Sequence, residues 1–186
     1  MRTFATAGAF VLAVSLAAPA FASPTDDVKN ALIALSQATS YHMVIESNGK
    51  TGEGDWVAPD KMELTFGPTE IIRIGTTSWV HVQGRWMQLP ASAASSMGAG
   101  STSGLTEAQG MAANAKDVTV TDLGMKTVGG ASFHAYSVVQ KGQTTPQIIY
   151  VGGDGRVARI EHATSTGTSS ITFSKFNQPA TISPPQ

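Results

Sequence analysis

Four histidines, His42, His81, His134 and His162, carry the most versatile chemistry in this chain. Imidazole can ligate a metal or move a proton near neutral pH. Metal sites favour short spacings such as H-x-x-x-H or H-x-H, and none occurs here. Each histidine falls in a separate candidate strand, so a surface or core role is the plainer reading. The carboxylates of Glu46, Glu53, Asp55 and Glu63 are close enough in sequence to suggest an acid–base pair. They stand at alternate strand positions beside turns, which is the pattern of solvated charge. No G-x-S-x-G nucleophile elbow is present. The absence of cysteine excludes thiolate nucleophiles, cysteine metal sites and disulfides. Gly152-Gly153-Asp154-Gly155 resembles a calcium or phosphate loop. It lacks further spaced carboxylates and no helix follows, so it reads as a hairpin turn. The expectation is a protein that is not an enzyme and uses no cofactor and no metal.

Binding is then the function to look for, and the elements that would position a binding surface are mostly strands. Between Pro59-Asp60 and Gly67 the chain alternates Lys61, Met62, Glu63, Leu64, Thr65, Phe66. Period-two alternation puts Met62, Leu64 and Phe66 on one face. YHMVIE, GDWVA, EIIRIG, SWVHV and RWMQL are further strands, with hairpin turns at Asn48-Gly49 and Gln83-Gly84. DVTVTDL, MKTV, ASFHAYSVVQ, QIIYVG, RVARIEHAT and SSITFSKF follow, making ten or eleven in all. Links this short favour an antiparallel meander. One helix is expected near the start: Thr25 as N-cap, Asp26 and Asp27 in the first turn, and a stripe of Val28, Ala31, Leu32 and Leu35.

The first 22 residues read as a secretory signal, with Arg2, an apolar run and Ala20-Phe21-Ala22 before a cut after Ala22. A transmembrane anchor would need about 20 apolar residues and no cleavage site. Arg2 is the only charged residue there; removing it from the 12 basic residues leaves 11 against 13 acidic ones. That balance, with basic residues scattered singly, argues against a nucleic-acid partner. With no cysteine to carry a lipid, the expectation is a soluble periplasmic protein, with residues 23–186 forming one domain. Residues 91–116, rich in Ser, Ala, Gly and Met, are expected to be a flexible loop or lid.

Several strands are apolar at both parities, such as Ile71, Ile72 and Ile74 in EIIRIG. One helix cannot cover so wide a sheet, which leaves two solutions. Either two sheets close on each other as a sandwich, or one sheet curls round the helix and leaves a concavity suited to a ligand. In the second case Met62, Leu64, Phe66, Ile72 and Ile74 are candidates for the concave wall. Trp79 and Trp86 are candidates for its mouth, or else an ordinary cross-strand aromatic pair. Met97, Leu105 and Met111 are candidates for the lid, and Met87, Met97 and Met111 for adaptable contacts or exposed filler.

The stretches ALSQATSYH, GDWVAPDKMELTF, TEIIRIGTTSWVHVQGRWMQLP, YVGGDGRVARIE and FNQPATISPP, taken in order, resemble the outer-membrane lipoprotein carrier (LolA-like) superfamily. The likeness spans nearly the whole chain after the signal. It implies a mainly β fold, an unclosed antiparallel half-barrel with helices in its concavity. It also implies an apolar cavity for lipid or lipoprotein acyl chains. The polar groups with which a lipoprotein chaperone receives and releases cargo have no match here, and the 91–116 segment departs from the pattern in its low complexity. The expected partner is a lipid or an acylated protein, with an inner- or outer-membrane protein to exchange it, and the chain is expected to be a monomer. The alternative is a protein-interaction module of envelope regulation with a mostly filled cavity.

Overall fold

The computed structural model describes residues 23–90, 118–164 and 167–186. The expected signal segment and the expected 91–116 lid, with Met97, Leu105 and Met111, lie outside the described residues.

Helix α1 spans Pro24–Ser36. Its N-cap is Ser23 rather than Thr25: the Asp26 N–H donates to Ser23 Oγ at 3.2 Å. Pro24 explains the difference, because proline has no N–H to lose and its fixed φ suits the first helical position. Asp26 and Asp27 occupy the first turn, and Val28, Ala31, Leu32 and Leu35 form the buried stripe.

Eleven strands follow: β1 (Ser40–Ser47), β2 (Lys50–Val57), β3 (Lys61–Phe66), β4 (Thr69–Ile74), β5 (Thr77–Val82), β6 (Arg85–Leu89), β7 (Val118–Val128), β8 (Ala131–Gln140), β9 (Gln147–Val151), β10 (Val157–Thr164) and β11 (Gly167–Ser174). They form one antiparallel sheet in the order β6-β5-β4-β3-β2-β1-β11-β10-β9-β8-β7. Two meanders are thus joined where β1 pairs with β11. The sheet does not close on itself, so the architecture is an unclosed half-barrel and the sandwich is set aside. DVTVTDL and MKTV belong to one strand, β7, interrupted by a bulge between Asp122 and Met125. Gly124 sits there at φ +71°, and its N–H donates to Asp122 Oδ1 at 2.7 Å.

The core lies on one face of this sheet, here called the inner face. The α1 stripe meets Tyr41, Met43 and Ile45 of β1, Met62 and Leu64 of β3, and Tyr136, Ile149, Ile160, Ile171 and Phe173 of the second meander. Tyr41 stacks on Trp56 with ring centroids 4.9 Å apart, and Phe173 meets Tyr41 edge-on.

Two glycines permit close packing within the first meander. Gly52 and Gly54 face inward on β2, between Ile45 and Phe66 and between Met43 and Leu64 respectively. A Cβ on Gly52 would run into the Phe66 ring, and one on Gly54 into the backbone of Glu63 and Leu64. Without side chains at these positions β2 and β3 approach closely and Phe66 lies across its neighbour.

On the outer face, Arg159 ties three strands across the joint between the meanders. It donates to Glu161 Oε1 at 2.7 Å, to Thr172 Oγ1 at 2.9 Å and to Glu46 Oε2 at 3.0 Å. Ser170 Oγ also donates to Glu46, and the Tyr150 hydroxyl to Glu161. The hydrogen bonds from Arg159 and then Ser170 hold the Glu46 carboxyl below its usual value of 4.5.

Two outcomes follow. Gly54→Ala should lower the unfolding free energy in urea by about 2 kcal/mol, since the clash is with backbone that cannot rotate away. For Glu46 the folded value is the depressed one, so its contribution is present above pH 4.5 and is lost as pH falls through the folded value. Urea midpoints measured from about pH 5 down to about pH 3 should drop less steeply in Glu46→Gln than in the parent chain.

Candidate ligand-binding face

The inner face of β3–β6 is built by tight turns. Gly67-Pro68, Gly75-Thr76 and Gln83-Gly84 each join strands through two residues, so Phe66 pairs with Thr69, Ile74 with Thr77 and Val82 with Arg85. Paired residues share a face. Starting from Leu64, the row runs Leu64, Ile71, Val80, Met87. The next runs Met62, Arg73, Ser78, Leu89, and it continues through Trp56 to Tyr41. Helix α1 lies mainly against β7, β9 and β10. Ile71, Val80 and Met87 therefore extend the apolar inner face beyond the cluster that α1 closes; Val80 is buried, Ile71 half-buried and Met87 53% exposed.

This register divides the predicted wall. Met62, Leu64 and Phe66 share the inner face, as their alternation required. Ile72 pairs with Glu63 and Trp79, Ile74 with Lys61 and Thr77, and Trp86 with His81. These four, Ile72, Ile74, Trp79 and Trp86, stand on the outer face and do not join the other three. The expectation had grouped them by apolar type, whereas each two-residue turn inverts parity. Trp79 lies opposite Gln88, so it is a diagonal neighbour of Trp86, not its direct partner. Trp86 stacks on His81 with centroids 4.9 Å apart.

Polar groups on the inner face are unusually placed. The Tyr41 hydroxyl, Arg73 Nε and both amide atoms of Gln147 are buried without a hydrogen-bond partner. Burial pushes the Tyr41 hydroxyl upward, against an opposing pull from the Arg73 charge. The carboxylates are confined to one face. Within β1–β6, Glu46, Glu53, Asp55, Glu63 and Glu70 all point outward, together with Lys61, whereas Lys50, Arg73 and Arg85 point inward. Crowding is felt outside: burial first, then Glu70 and Asp55, raises the Glu63 carboxyl. Sequence reading missed Arg73 and Tyr41 altogether. Counting across Gly67-Pro68 would have placed Arg73 opposite Met62.

A second feature lies at the helix start. A cavity of about 450 Å³ is lined by Asp27, Asn30, Met125, Ser132, His134, Tyr136, Val151 and the glycines Gly152, Gly153 and Gly155. The Tyr136 hydroxyl donates to Asp27 Oδ2 at 2.8 Å, and His134 stacks on Tyr136 while its Nε2 lies 2.7 Å from Asp122 Oδ1. Burial first, then Asp27, raises the Tyr136 hydroxyl, so it remains a donor at neutral pH. The remaining histidines stand apart: His42 contacts Asp55 at 2.8 Å on β1, His81 is on β5 and His162 on β10. The carboxylates Glu46, Glu53, Asp55 and Glu63 are spread over the outer face of three strands. Asp154 and Gly155 close a β-turn with Gly152 in which Arg156 N–H reaches Asp154 Oδ1.

No family model and no curated protein matches the sequence. Among solved structures, the lipoprotein LppX of Mycobacterium tuberculosis is similar with a TM-score of 0.64 at 17% identity, over 87% of this chain and 98% of that one. LprF of Mycobacterium bovis is similar with a TM-score of 0.62 at 16% identity, over 87% of this chain and 96% of that one. The fold that the LolA-like resemblance implied is therefore the fold observed, shared along nearly the full length of both neighbours.

The Tyr136 hydroxyl bond is one direct tie between α1 and the sheet. Tyr136→Phe should cost about 1 kcal/mol in chemical denaturation. It should also speed amide hydrogen exchange in α1 more than in β1.

Proposed function

We propose that this protein is an envelope carrier that holds a lipid, or the acyl chains of a lipoprotein, against the inner face of β3–β6. One observation carries the reading: the apolar row Leu64, Ile71, Val80, Met87 continues past the part of the sheet that α1 occupies. Methionines at such a surface adapt to chains of varied shape. The half-barrel shared with LppX and LprF supports the reading at the level of architecture, and the signal-like start of the sequence supports an exported protein.

Energetics suit a carrier. Moving a chain of about 16 carbons out of water at roughly 0.8 kcal/mol per methylene gives a gross gain near 13 kcal/mol. A lipid leaving a membrane gains almost none of this, having already been out of water. Loading and release must then depend on direct exchange with a membrane or a partner, and no covalent chemistry is required. Met62, Leu64 and Phe66 supply the wall nearest the core, with Ile71 and Val80 beyond them. The outward-facing Ile72, Ile74, Trp79 and Trp86 take no part.

Native mass spectrometry of the purified protein, followed by organic extraction, should reveal a stoichiometric adduct of acyl-chain mass. A paired substitution on one strand tests the face. Ile71→Glu should weaken uptake of a fluorescent lipid at least tenfold, about 1.4 kcal/mol, while Ile74→Glu leaves it unchanged. Equal effects of the two changes would refute the assignment. A protein that stays free of adduct after incubation with phospholipid and lipopeptide would instead be an interaction module with a filled core.

A further inference from the structure

We propose that the ligand of this face is an anionic amphiphile, its carboxylate or phosphate held by Arg73 with the Tyr41 hydroxyl as a second donor. The inference rests on the lipid-binding reading above and specifies the class of lipid.

Arg73 is a costly residue in its position. It faces inward between Met62 and Ser78 in a row that includes Leu89 and Trp56. Its Nε is buried and unsatisfied, and among the described residues it makes no ion pair or hydrogen bond. A guanidinium is a fork of five donors that matches a carboxylate or phosphate in bidentate geometry. Arg73 as a whole is half-buried, and its enclosed Nε has given up water without gaining an anion in return. A satisfied surface arginine would call for no explanation, but this one does.

Tyr41 repeats the pattern. Its side chain is 2% exposed, locked by stacking on Trp56, and its hydroxyl has no partner. It stands in the same cross-strand row as Arg73, with Trp56 and Met62 between them. Two unsatisfied donors, one of them charged, thus share one end of the inner face. Ser78, also buried, is Arg73's cross-strand neighbour.

The surrounding field has the matching sign. No carboxylate of β1–β6 stands on the inner face, while Glu46, Glu53, Asp55, Glu63 and Glu70 stand on the outer face with Lys61. An anionic head beside Arg73 meets no carboxylate from these strands. The neighbouring row Leu64, Ile71, Val80 gives its chain an apolar track beginning one residue pair from the charge. A neutral lipid would fill the track and leave Arg73 and Tyr41 as they are.

The test compares three ligands with one 16-carbon chain: palmitate, hexadecyl phosphate and hexadecanol. Each competes against a neutral fluorescent probe on the delipidated protein. The expected result is that at least one anion displaces the probe at a tenfold or lower fraction of the hexadecanol concentration. Which anion does so separates a fatty-acid carboxylate from a phosphate head. Arg73→Met should abolish the preference and leave hexadecanol unchanged, with Arg73→Lys retaining part of it. Thermal melting should show Arg73→Met no less stable than the parent, as expected for removal of an unpaired charge. If that variant melts early, Tyr41→Phe takes its place and should weaken the anion about threefold without affecting hexadecanol. Equal displacement by hexadecanol and both anions would overturn the anionic assignment and leave lipid binding standing. Equal losses for all three ligands in Arg73→Met would do the same. Failure of every ligand to displace the probe, with no acyl adduct in the native mass spectrum, would overturn both.

Discussion

A helix of 13 residues is about 20 Å long, whereas eleven strands about 4.8 Å apart make a sheet near 48 Å across. That mismatch governs the molecule. A flat sheet would leave most of an apolar face in water, so the sheet must curl round its one described helix. Gly52 and Gly54 leave the inner side of β2 free for the Phe66 ring and the β3 backbone, where a Cβ would clash. The curl is fixed at the joint of the two meanders by β1–β11 pairing inside and the Arg159 cluster outside. Where α1 ends its coverage the inner face continues, and that remainder is the surface to which a ligand is assigned.

Much of this was legible before any coordinates. The α1 stripe, the alternation of KMELTF and the turn signals at Asn48-Gly49 and Gln83-Gly84 are local properties, and local geometry expresses them directly. Both turns have the positive φ at each central residue that those sequences favour. The faces of β4–β6 were misassigned because facing is not local. Inner residues are even-numbered in β3, odd in β4, even in β5 and odd in β6, since each two-residue turn exchanges parity. Ile72 looks like Ile71 in composition and differs only in that count. The helix start shifted for a simpler reason: Pro24 was read as a residue before the helix, though its chemistry suits the first turn.

The proposed ligand face raises the question of how an apolar surface could be selective. Hydrophobic burial is roughly proportional to area and distinguishes poorly between chains. Selectivity has to come from groups that are worse off without the right partner. Tyr41, Arg73 and Gln147 each bury a polar atom without a hydrogen-bond partner, beside a core that includes Met43, Leu64, Ile149 and Ile171. The five carboxylates of β1–β6 stand on the outside, on the opposite face from Arg73.

An unclosed sheet has two ends, and β7 is one of them. With 11 residues it is also the longest strand among the described residues. A straight edge of that length would offer a template for pairing with another chain, the first step toward aggregation. The bulge at Asp122–Met125 breaks the template. Gly124 turns the backbone out of register, and Asp122 occupies its N–H, so neither half of β7 presents a long regular edge. At the opposite end β6 is only five residues long and is followed by Pro90, which has no N–H to offer a neighbour. The opening that gives this fold its concave surface is thereby kept from becoming a site of uncontrolled polymerisation.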